Sequence, residues 1–141
     1  TYTDNLGLIN RGFLMIGYPW QDLKTIKKTT KILLKIPLDE LRISFLTPLP
    51  GSSLWHYYKE HPEELYTTNF DDFTTDKPII KIKGLASEDL LELREEIVRK
   101  FYESDEYKKR VAQKIKKFPH LEQSFTWFFE KILKKKYEIR I

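Results

Sequence analysis

The chain has 141 residues, 25 Lys and Arg against 21 Asp and Glu, a formal net charge of +4 and no cysteine. That length supports one domain with a real core. The missing thiols exclude a disulfide framework, a thiolate metal site and a thiol nucleophile, and they suit a reducing compartment, read here as cytoplasmic. The small net charge permits nucleic acid or an anionic membrane as partner without arguing for either. No apolar run approaches the ~20 residues that a spanning helix needs.

The first element is the apolar run Phe13-Leu14-Met15-Ile16, stopped by Gly17-Tyr18-Pro19. It reads as a strand entered through Asn5–Ile9. The chain opens on Thr1 and reads as the tail of something longer. Asp22 is placed to cap a helix. Leu23, Ile26, Thr30, Leu33 and Leu34 then share one face, and Lys24, Lys27, Lys28, Lys31 and Lys35 the other. Pro37 closes this helix. Leu41–Leu46 is the second strand, and a helix between two strands of buried type fits a right-handed βαβ crossover. After Thr47-Pro48-Leu49-Pro50-Gly51, Ser52 or Ser53 caps a short aromatic helix that ends near His61-Pro62.

The middle is less regular. Asn69–Asp76 reads as a loop pinned by Phe70 and Phe73, and Pro78–Gly84 as a short edge strand. The rest is helical. Ser87 caps a helix with the stripe Leu90, Leu93, Ile97 and Phe101. Ser104 caps one with Tyr107, Val111, Ile115 and Phe118, and a last helix from about His120 buries Leu121, Phe125, Phe128, Phe129, Ile132 and Leu133. The expected fold is α/β: a βαβα piece of a partial TIM-type barrel over residues 1–60, a connection with a short edge strand over 61–86, and a mainly helical C-terminal subdomain over 87–141.

Leu14-Met15-Ile16-Gly17-Tyr18-Pro19-Trp20-Gln21-Asp22 resembles the F-M-I-G-L-P-G-E-T strand and turn of radical SAM enzymes, and Pro48-Leu49-Pro50-Gly51-Ser52 resembles their later P-x-P-G-T. Asn69–Asp76, the acid- and leucine-rich Ser87–Arg99, and Phe101-Tyr102 with Tyr107 resemble the tail of the cobalamin-dependent branch. The ordered set resembles the C-terminal half of a radical SAM barrel with its C-terminal extension, up to about Phe118. The resemblance implies a fragment of an iron–sulfur enzyme of Fe-S oxidoreductase type, using S-adenosylmethionine and a 4Fe-4S cluster, with cobalamin in some relatives. It implies that Ile16, Gly17, Tyr18 and Gln21, with Thr47 and Pro48, border the S-adenosylmethionine site, the backbone at Ile16-Gly17 lying against adenine. Tyr18 and Trp20 would face substrate.

Several departures bear on this. The C-x-x-x-C-x-x-C ligands are absent, so no cluster can be built from this chain. The Gly-Gly-Glu segment is absent too. Gln21 replaces a usual Glu, Trp20 a frequent Gly and Ser52 a Thr. The chain would thus be part of a longer enzyme, or a remnant of one, and inactive alone. Its partners would be the remainder of that enzyme or, in isolation, a second copy meeting at Phe13, Met15, Ile43 and Phe45. The alternative is a non-catalytic interaction domain that uses its C-terminal helices.

Other patterns have plainer readings. His56, His61 and His120 lack metal-ligand spacing. Glu63-Glu64 and Asp71-Asp72 read as solvated acids. Gly7, Gly12 and Gly17 are too far apart for a phosphate loop. Lys131, Lys134, Lys135 and Lys136 beside Trp127, Phe128 and Phe129 suggest the solvated face of an amphipathic helix rather than a nucleic-acid site.

Overall fold

A computed structural model describes residues 2–134. In chain order it contains α1 (Tyr2–Asn5), β1 (Arg11–Ile16), α2 (Leu23–Leu33), β2 (Glu40–Phe45), α3 (Ser53–Glu60), α4 (Ser87–Tyr102), α5 (Asp105–Lys117) and α6 (Glu122–Phe128). Short 3-10 turns lie at Pro62–Glu64, Phe70–Asp72 and Pro119–Leu121. A π-helical turn at Phe129–Leu133 continues α6.

β1 and β2 form a two-stranded sheet. Glu40 N–H donates to the Asn10 carbonyl at 3.1 Å and Leu46 N–H to the Ile16 carbonyl at 2.8 Å. The offset is the same at both ends, so the strands are parallel, with α2 as the crossover. This register pairs Gly12, Leu14 and Ile16 with Leu41, Ile43 and Phe45 on one face. Ile16, Leu41, Ile43 and Phe45 are buried. The other face carries Arg11, Phe13 and Met15 beside Glu40, Arg42 and Ser44. There Phe13 is 70% exposed and Met15 40%. Of the four residues expected to meet a second copy, Ile43 and Phe45 are therefore removed by burial.

The chain divides into two compact units that interleave in sequence. One draws its described residues from Thr1–Gly12, Ile32–Arg42 and Glu95–Ile141, the other from Phe13–Lys31 and Ile43–Arg94.

In the first unit, an aromatic cluster of Phe101, Tyr102, Tyr107 and Phe128 packs in tilted and edge-on pairs 4.8–5.9 Å apart. A buried polar network ties it to the start of β2. The Asp39 carboxylate is fully buried. It accepts from Lys114 Nζ at 2.5 Å and from Asn10 N–H at 2.7 Å. Lys114 also reaches Asp4 at 2.9 Å. Tyr107 Oη donates to the Asp39 carbonyl at 2.7 Å. Tyr102 Oη accepts from Leu41 N–H at 2.6 Å and donates to the Leu41 carbonyl at 3.0 Å. Burial drives the Tyr107 phenol well above its usual range. Lys114 lies beside the stripe Tyr107–Val111, and Ile115, expected in that stripe, is only half-buried.

In the second unit, Tyr58, Leu65, Ile79 and Ile80 form a cluster against Leu46, Leu54 and Phe73. Phe45 N–H donates to the Thr75 carbonyl at 2.8 Å. Arg94 is buried with its guanidinium 5.0 Å from the Phe45 ring centre, and its Nη1 donates to the Asp76 carbonyl at 2.9 Å. The Phe70 and Phe73 rings pack on Trp55, which anchors their loop.

Local expectations fare unevenly. Asp22 caps α2 by accepting Thr25 N–H at 2.6 Å, and hydrogen bonding from the Thr25 side chain, then from its backbone, holds the carboxyl below the usual range. Ser52, not Ser53, caps α3 through Trp55 N–H at 3.1 Å. Leu34 falls beyond α2 and is exposed. Ser87 begins α4 rather than capping it, because Asp89 reaches back to Ala86 N–H at 2.8 Å. Pro78–Gly84 makes only isolated bridges, Leu65 to Ile80 and Ile82 to Leu85. Ile79, Ile80 and Ile82 are buried. The segment is a core-filling stretch, not an edge strand. Ile132 is partly exposed rather than buried.

Candidate functional site

The carboxyl ends of β1 and β2 supply the candidate site, all of it within the second unit. Gly17 takes φ +91°, a conformation that disfavours any residue with a Cβ. A Cβ there would meet only ordinary contacts, at 3.7 Å from Leu46 N and 3.8 Å from the Phe45 ring. Glycine is therefore required by the backbone angle. Gln21 then locks the turn. Its Oε1 accepts from Gly17 N–H at 2.8 Å and from Tyr18 N–H at 3.1 Å, while Gln21 N–H donates to the Tyr18 carbonyl at 2.9 Å. A glutamine oxygen suffices for two amide donors, so the turn is held without a charge.

Ile16 is buried, and its carbonyl receives Leu46 N–H. That bond brings the turn after β1 beside the turn after β2. The Thr47 hydroxyl lies 3.0 Å from the Thr74 carbonyl and 3.3 Å from the Phe45 carbonyl. Pro48 is buried. The six expected site residues thus fall in two adjacent turns, with most of their polar groups satisfied within the chain. Tyr18 and Trp20 are the exception. Their rings lie 5.1 Å apart, and Trp20 is 75% exposed. This aromatic pair, at the end of a parallel sheet, suits stacking against a flat ligand.

Among the described residues, no group of three or more His, Asp or Glu is placed to hold a metal ion. The chain contains no cysteine, so its residues do not fit an iron–sulfur cluster. The paired acids have ordinary partners: Glu64 accepts from Tyr57 Oη at 3.1 Å, and Asp72 meets Lys77 Nζ at 3.2 Å. Lys131 and Lys134 are exposed, while Lys135 and Lys136 lie outside the described residues. No described helix is long and apolar enough to cross a membrane.

Reasoning from the sequence missed two clusters. One is the Asp39–Lys114 centre, whose only trace was a lysine beside an apolar helical stripe. The other is a cavity of about 380 Å³ lined by Arg11, Glu40, Leu41, Arg42, Trp127, Phe128, Ile132 and Leu133.

No family model matches the chain, and no solved structure does. Over 96 residues it is 31% identical to the uncharacterized methyltransferase PH0819 of Pyrococcus horikoshii, a match covering 68% of this chain and 21% of that protein. The chain thus aligns with about a fifth of the relative's length.

Proposed function

We propose that this chain is the C-terminal barrel piece of an S-adenosylmethionine-dependent radical enzyme that acts in methyl transfer or a related reaction. The observation that carries the reading is the similarity to a methyltransferase, since S-adenosylmethionine is a general methyl donor. The ordered motifs after β1 and β2 support it. The radical SAM assignment rests on those motifs alone. In this reading β1 and β2 are two strands of a TIM-type barrel. Ile16, Gly17, Tyr18, Gln21, Thr47 and Pro48 border the S-adenosylmethionine site, with Trp20 beside them. Gln21 holds the Gly17 turn open toward the ligand, and Tyr18 and Trp20 offer aromatic surface to a flat group. The cluster, and cobalamin where one is used, belong to other segments of the enzyme.

The outer edges of β1 and β2 would receive the remaining barrel strands. A chain kept apart from them would pair with a second copy through those edges, with Phe13 and Met15 at the seam, which light scattering across a dilution series measures. Reading the gene upstream of Thr1 tests the assignment. An in-frame C-x-x-x-C-x-x-C is expected, and a start codon immediately before Thr1 overturns it in favour of an interaction module built on the C-terminal helices. Anaerobic incubation of the chain with iron and sulfide should leave no cluster absorbance.

A further inference from the structure

The cavity at the amino ends of β1 and β2 lies wholly within the first unit and is unlike the turns at their carboxyl ends. Its volume of about 380 Å³ falls in the range of small-molecule pockets. Its wall comes from α6 and the π-helical turn Phe129–Leu133, where Lys134 N–H donates to the Phe129 carbonyl five residues back. The lining residues from this segment come in two pairs with that same spacing, Trp127 with Ile132 and Phe128 with Leu133. In a regular α-helix, residues five apart diverge around the axis. The widened π turn brings each pair to one side, and such turns recur at functional sites.

The remaining described lining is Leu41 and three charged residues. Arg11, Glu40 and Arg42 stand on the open face of the two strands. Arg11 Nε is bound to Glu40 at 2.5 Å, so that carboxylate is already neutralised. Arg42 is exposed and has no hydrogen-bond or ion-pair partner among the described residues. Among the described lining residues, two guanidiniums against one carboxylate leave one surplus positive charge. Trp127, 57% exposed, presents indole surface at the same cavity.

We propose that this pocket binds a small organic monoanion with a flat or compact apolar body, such as an aromatic carboxylate. Its carboxylate pairs with the Arg42 guanidinium, whose planar fork matches two carboxylate oxygens. The apolar body lies against Trp127, Phe128 and Ile132. The pocket shares no residue with the turns at the strand carboxyl ends, so failure of one reading leaves the other standing, while Arg11, Glu40 and Arg42 do share the open sheet face with Phe13 and Met15.

Calorimetric titration of the full chain with naphthoate tests it, with the neutral naphthylmethanol as comparison. Naphthoate is expected to saturate a single site and to bind about tenfold or more tightly than the alcohol, as a charge-assisted hydrogen bond implies. Arg42→Gln should abolish that preference, and Trp127→Ala should weaken both ligands. Arg42 is exposed, so the variant should keep its urea midpoint, and Lys27→Gln serves as a charge-matched control with unchanged binding. Equal affinity for the two ligands, a preference that survives Arg42→Gln, or heat that does not saturate overturns the proposal.

Discussion

The two ends of the parallel sheet are held by different means. At the amino end, Asp39 and Leu41 are fastened by a buried ion pair and two tyrosine hydroxyls, with Lys114 Nζ 2.5 Å and Tyr102 Oη 2.6 Å from their partners. At the carboxyl end, the Gly17 turn is held by one neutral side chain, Gln21, bridging two amides. A buried charge must keep its partner, whereas the Gly17 turn stakes only neutral bonds, one of them at the partly exposed Tyr18. The difference teaches which end is anchored by buried charge and which is held by neutral bonds alone.

Mutations can break that comparison. Lys114→Met leaves the Asp39 carboxylate buried without its ammonium. The expected loss is about 3–5 kcal/mol in urea unfolding, and adding Asp39→Asn should restore part of it. Tyr102→Phe strands the N–H and carbonyl of Leu41 and should cost about 1–3 kcal/mol. Gln21→Ala should cost about 1–2 kcal/mol, because the freed amides are neutral and Tyr18 is partly exposed although Gly17 is buried, while Gln21→Glu keeps both acceptor bonds. If Gln21→Ala cost as much as Lys114→Met, the contrast between the ends would collapse.

The smallest effect sharpens the picture away from both ends. The Tyr58 hydroxyl is buried without a hydrogen-bond partner among the described residues. Burial, helped by the nearby Glu64 charge, pushes its pKa from 10.0 up to about 12. Between those values the unfolded chain has released a proton that the folded chain still holds. Stability is therefore complete below pH 10 and falls as pH rises toward 12. Tyr58→Phe should change stability at neutral pH by less than about 0.5 kcal/mol, since no bond is lost. It should also reduce the alkaline loss, as denaturation midpoints across that range would register.

Much of the carboxyl end could be read from sequence because its determinants are local. An apolar run meeting Gly17-Tyr18-Pro19 announces a strand and its turn, and Asp22 and Ser52 cap helices within three residues of themselves. The amino end could not be read so. Asp39 finds its counter-ion 75 residues later, and no periodicity links it to Lys114. Pro78–Gly84 misled for another reason. Its isoleucines pattern like a strand, yet they fill a core through side chains and make almost no ladder. Gln21 was noticed as a departure from a family pattern, but its use as a double acceptor required the backbone of Gly17 and Tyr18 to be in place. The aromatic wall of the cavity was invisible because its spacing of five belongs to a π turn, which α-helical periodicity does not anticipate.

The separations of these contacts also order events in time. The Gly17–Gln21 lock spans four residues, so it can close as soon as its own segment is made. The bonds at Leu41 and Asp39 span 61, 68 and 75 residues, and they wait for α4 and α5. Closing such long loops is slow, because chain entropy is lost before the contacts compensate for it. During synthesis, the buried Asp39 carboxylate has no cationic partner among the described residues until Arg110 and Lys114 have emerged. Of the bonds described at that end of the sheet, a chain interrupted before α4 would keep only those with Asn10 and Arg11.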